Sequence, residues 1–130
     1  MAHIFVVVVT LLFSSFAFGN AIYYKCMIEG SASNGDSGTS IKGPHDFETH
    51  EISKVVLEQD GSTIRKLRNK ELITSYFNAR EDNQIISASI RNNAIVSSLT
   101  LDKRSGRLHE VLFKDSEVSN MFYSCTVIKQ

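Results

Sequence analysis

Ile22-Tyr23-Tyr24-Lys25-Cys26-Met27-Ile28 is the stretch on which the fold turns. Residues alternate along an extended strand, so Ile22, Tyr24, Cys26 and Ile28 share one face while Tyr23, Lys25 and Met27 take the other. A stretch of the same grain, Met121-Phe122-Tyr123-Ser124-Cys125-Thr126-Val127-Ile128, closes the chain. Cys26 and Cys125 are the only cysteines, each sits inside a strand pattern, and their settings match: Tyr24-Lys25-Cys26 and Tyr123-Ser124-Cys125. One disulfide between the first and last strands follows, provided the chain reaches an oxidising compartment. Closing so long a loop removes roughly 4 to 5 kcal/mol of unfolded-state entropy, comparable to the whole stability of a small domain. The spacing is far wider than redox-active or metal-bound thiol pairs use, so the bridge reads as structural.

The N-terminus supports export. An apolar run over 4–18 is short for a membrane span and suits a signal-peptide core, with small residues at Ala17-Phe18-Gly19 and Gly19-Asn20-Ala21 for cleavage. Met1-Ala2-His3 lacks the Lys or Arg usual before such a core, and the alternative is an uncleaved anchor. Residues 1–19 are thus expected to be a signal peptide and 20–130 a single periplasmic or secreted domain. About 110 residues bury one modest core and leave no room for a second. With 14 basic and 14 acidic residues, no net field draws the chain to nucleic acid, and partner choice falls to local surface.

Between the end strands the pattern is β throughout. Residues 30–44, rich in Gly, Ser, Asn and Thr, read as a mobile loop. Strands are expected over 52–58, 62–67, 72–78, 85–90, 94–101 and 108–113. The breaks fall at Asp60-Gly61, 80–83, Asn92-Asn93 and 102–106, where Gly106 supplies positive φ. Residues 45–57 also carry helical spacing, which leaves a short helix there as an alternative. About eight short strands with sequential links predict an all-β fold, a small antiparallel meander barrel closed by the disulfide, or a two-sheet sandwich.

The residues carry little recognisable chemistry. His45, Asp46, Glu48 and His50 form the one dense group of ligand types, and in either an extended or a helical segment some of them share a face. A stable transition-metal site needs three or four ligands, and the pattern is not His-Glu-x-x-His, so the group reads first as a solvated element start. Nucleophile-elbow, dinucleotide and Walker glycine patterns are missing. Lys103, Arg104 and Arg107 flank one turn, and Arg65, Lys66, Arg68 and Lys70 form a second basic patch. Adjacent aromatic pairs place one ring on each strand face, which makes Tyr23 and Tyr123 candidates for a recognition surface.

In its plan of leader, Tyr24-Lys25-Cys26 strand and terminal Cys125, the chain resembles small exported β-barrels such as the barrel-type periplasmic lysozyme inhibitors. The likeness implies a barrel and carries over no functional residues. The expected function is therefore binding rather than catalysis, without a cofactor, toward another protein, as an inhibitor acts, or toward an envelope component. Lys103, Arg104, Arg107, Tyr23 and Tyr123 are the expected surface. The alternatives are a metal-dependent hydrolase around His45, Asp46, Glu48 and His50, and a carrier with a small ligand inside the barrel.

Overall fold

A computed structural model describes residues 21–36, 38–47 and 54–128. The leader expected over 1–19 lies outside these. Nine strands follow one another: β1 (Ile22–Gly35), β2 (Gly38–Lys42), β3 (Lys54–Asp60), β4 (Thr63–Arg68), β5 (Glu71–Glu81), β6 (Ile85–Arg91), β7 (Val96–Asp102), β8 (Arg107–Lys114) and β9 (Glu117–Ile128). Each of β3 to β8 pairs antiparallel with the next, and β9 returns to β1, which also pairs with β3. The result is a closed eight-stranded barrel with β2 added beyond it, the meander its sequence pattern predicts. Among the described residues there is no α-helix, only a 3₁₀ turn at Pro44–Phe47, and no helix long and apolar enough to cross a membrane.

The disulfide forms between Cys26 and Cys125, which face each other across the β1–β9 seam with Cα atoms 4.0 Å apart. Both are buried. Gly106 is tied to the same place: Cys125 N–H donates to its carbonyl at 2.7 Å, its φ is +76°, and a Cβ there would meet the Cys125 carbonyl oxygen at 2.3 Å. Only glycine fits.

Three of the turns share one device. Asp82 Oδ1 accepts from the Gln84 and Ile85 amides, Asn92 Oδ1 from those of Ala94 and Ile95, and Asp102 Oδ1 from those of Arg104 and Ser105. Such Asx turns replace ladder bonds where the chain reverses. Two other hairpins are two-residue loops with positive φ at both positions, Asn69-Lys70 and Asp115-Ser116, which matches strand twist. The turn expected at Asp60-Gly61 falls one residue later: Asp60 pairs with Thr63, and Gly61-Ser62 makes the loop. That shift carries the strand on to Asp60.

Two expectations change. The stretch over 30–44 is not one long loop, because β1 continues to Gly35 and turns into β2, Ser31 pairing with Lys42 and Asn34 with Thr39. Backbone ladder bonds hold this hairpin, so its polar composition leaves no alternation to read. The helix considered over 45–57 is absent where described: Pro44–Phe47 is 3₁₀ and β3 begins at Lys54.

Candidate functional site

The interior decides where function can sit. Alternate residues of the barrel strands point inward, and part of the interior is mostly aliphatic, with Leu57, Ile64, Ile86, Leu99 and Leu101 each at most 2 % exposed beside the buried Tyr24 and Gln59. The remaining void beside them is about 10 Å³, the space of one water. A carrier's ligand has no room there.

The rest of the interior holds a polar strap. Lys66 of β4 meets Glu110 of β8 across the barrel, Nζ to Oε1 at 2.8 Å and to Oε2 at 3.0 Å. Tyr76 donates its hydroxyl to Glu110 Oε2 and shares a 3.0 Å hydrogen bond with the Ser97 hydroxyl. Burial, reinforced by the Glu110 carboxylate, holds the Tyr76 hydroxyl far above the ordinary tyrosine range. Tyr123 is shifted the same way by burial and Glu110, opposed by Arg68. These groups neutralise each other inside a sealed wall, so they read as structure rather than chemistry.

This placement corrects the expected basic and aromatic surface in two places, for a reason of phase. Tyr123 is 2 % exposed, because it shares the inward face with Cys125. Lys66 is also buried: Ile64 and Lys66 alternate inward, so the basic patch expected over 65–70 is divided between interior, wall and turn. The aromatic pairs do split as expected. Tyr24, Tyr76 and Tyr123 point in, while Tyr23, Phe77 and Phe122 point out.

Of the other surface candidates, Lys103 is engaged, with Nζ donating to Glu81 Oε2 at 2.9 Å and to the Asp82 carbonyl. That bond holds the Glu81 carboxyl below its usual range, aided by Gln59. Arg104 and Arg107 are exposed at the start of β8 and the turn before it. Tyr23 is half-buried on the outer wall of β1, opposite Ile128 and Glu58. His45 and Asp46 stand exposed in the 3₁₀ turn, where Asp46 Oδ2 accepts from the Gly43 amide at 2.8 Å. Glu48 and His50 lie outside the described residues. Among those described, no group of three or more potential ligands comes together.

What the sequence taken residue by residue does not reveal is the outer wall of β7, β8 and β9. Cross-strand pairing lays three rows there: Val96, Phe113 and Val118; Ser98, Val111 and Asn120; Thr100, His109 and Phe122. Phe113 is 49 % exposed, Phe122 43 % and Val96 40 %. The His109 ring stacks on Phe122 with centroids 4.8 Å apart and planes within 2°, and its Nε2 meets Asn120 Oδ1 at 2.9 Å. Arg107 continues the same face two residues before His109. The signal was present in outward phase on both strands, Arg107, His109, Val111 and Phe113 beside Val118, Asn120 and Phe122, but needed the β8–β9 register to become a surface.

No protein-family model and no curated protein matches the chain.

Proposed function

We propose that this protein is an exported binding module that recognises another protein through the outer wall of β7, β8 and β9. One observation carries the reading: the barrel is filled, while that wall leaves Phe113, Phe122 and Val96 open to solvent beside a fixed His109–Asn120 pair. Aromatic residues and arginine dominate the energetic centres of protein interfaces, and here they stand on paired strands that need little ordering on binding. Arg104 and Arg107 supply charge at one rim, where they set encounter rate and orientation more than affinity. Export and the oxidising compartment that the disulfide requires belong to the same reading.

A photo-crosslinking amino acid placed at Phe122 tests it, with Ser75 on the opposite wall as the control position. A discrete adduct from Phe122, competed by unlabelled protein and absent from Ser75, is expected. Equal adducts from both positions, or none from Phe122, refutes the wall as the recognition surface.

A further inference from the structure

A second outer surface differs from the aromatic wall in every component. On β1, β3 and β4 a groove of about 270 Å³ has Val56 and Leu67 as its floor and Ile128 at its end, with Lys25, Lys54 and Lys70 around it. Register explains the assembly: Val56 lies between Lys25 and Leu67 on neighbouring strands. Lys54 is two residues before Val56 and faces the same way, opposite Met27. Leu72 borders the floor opposite Leu67, and Met27 and Leu72 are 48 % and 55 % exposed.

Among the described residues no carboxylate lines this groove. The nearest on β3, Glu58, has both oxygens held by Arg65 at 2.7 Å, and Glu71 follows Lys70 at the start of β5. A chain whose formal charges cancel therefore concentrates cations over an aliphatic floor.

We propose that this groove binds the headgroup of an anionic phospholipid at a membrane surface, with the lysines on the phosphate and the adjoining methylenes on Val56, Leu67 and Ile128. Composition favours lipid over a protein partner. Lysine is depleted in protein interfaces, whereas aromatics and arginine are enriched, and among the described residues this groove has three lysines and neither of the others. Lysine is a point charge that suits phosphate at a surface, while planar carboxylate recognition favours arginine. Basic side chains with apolar stems also match the boundary between headgroups and acyl chains. The groove centres on β3 and the aromatic wall on β8, three strands apart around the barrel, so a lipid-bound molecule still presents that wall to a partner.

Co-sedimentation of the disulfide-bonded protein with vesicles tests this, comparing phosphatidylcholine alone with phosphatidylcholine holding about 30 % phosphatidylglycerol. At least about tenfold stronger binding to the anionic vesicles is expected, abolished near 1 M salt, where screening reaches about 3 Å. The Lys25→Gln/Lys54→Gln/Lys70→Gln variant loses about tenfold of that binding while keeping its unfolding midpoint, since all three lysines are exposed. Leu67→Asn weakens it by a smaller factor, and Phe113→Ser/Phe122→Ser leaves it unchanged. Equal binding to both vesicles, or binding unaffected by the triple variant, overturns the proposal. Retention on polyglutamate without retention on vesicles overturns it in favour of an acidic protein, and full competition by millimolar inorganic phosphate overturns it in favour of the free anion.

Discussion

The two seams that face each other across the barrel, β9–β1 and β5–β6, are built in opposite ways. β9–β1 joins the ends of the chain, runs from Tyr23 opposite Ile128 to Asn34 opposite Val118, and is bridged covalently where Cys26 faces Cys125. β5–β6 joins neighbours in sequence and registers only at Phe77, Arg80 and Glu81, because Asn78 takes φ +56° and the Ala79 amide bonds the Ser62 carbonyl instead. The outer face there opens into a shallow serine-lined groove of about 340 Å³. The contrast follows from loop-closure entropy. Pairing residues about a hundred positions apart costs more order than turning a hairpin, so the distant seam is cross-linked and keeps eleven paired positions around its own register shift between Ile28 and Gly30, while the local seam is left with three.

The largest test removes the cross-link. Cys26→Ala/Cys125→Ala should lose roughly 4 to 5 kcal/mol in denaturant titration, less where the open chain keeps residual structure. A loss under about 1 kcal/mol would show that β1 and β9 hold without the bridge, and the contrast would fail. Next comes the interior strap, which belongs to neither seam. Lys66→Met strands a buried carboxylate and should cost about 3 to 5 kcal/mol, while Lys66→Met/Glu110→Leu should recover most of it. If both variants cost the same, the ion pair stabilises the barrel in its own right.

Gly106→Ala sharpens the role of the closing seam. Its positive φ and 2.3 Å approach to the Cys125 carbonyl predict a loss of about 2 to 4 kcal/mol, with Gly61→Ala milder because nothing crowds Gly61 within 4 Å. Matching losses would make this a matter of φ alone. The smallest effect belongs to the weak seam. Amides of Ile85 and Gln84 hold the Asp82 carboxyl below the usual aspartate range. The contribution of these bonds is therefore present above pH 3.8, the ordinary aspartate value, and fades as acid brings the pH through the lower folded value. Hydrogen exchange at Gln84 and Ile85 should quicken, relative to the intrinsic rate, as the pH falls below 3.8, before it does at Met27 or Ser124. Simultaneous opening would mean the two seams act as one.

How legible each part was depends on whether its cause is local. Alternation around Cys26 and Cys125, glycine at 106 and asparagine at 92 all act within a few residues, so barrel class, bridge and most turns can be read directly. The β1–β2 hairpin cannot, because none of its described residues from Ser31 to Lys42 is fully buried and only backbone pairing defines it. The two-residue turns at Asn69-Lys70 and Asp115-Ser116 lack the glycine that usually announces them. Tyr123 was within reach, since its phase with Cys125 dictates burial. Lys66 was not, because its inward position becomes tolerable only when β8 brings Glu110 from 44 residues away. The aromatic wall and the lysine groove depend likewise on register between strands.

The disulfide also sets how the domain answers to mechanical load. Ile22 and Ile128 leave the same end of neighbouring strands, so tension drawn between them peels the seam like a zipper. It frees Tyr23 from Ile128, Tyr24 from Val127 and Lys25 from Thr126. At Cys26 and Cys125, 99 positions apart in sequence, the peeling meets a covalent stop, and the chain between them lies outside the path of the force. A tethered copy would lengthen by a few residues and hold, with the aromatic wall behind the stop unstretched and the lysine groove, lined by Lys25 and Ile128, pulled open.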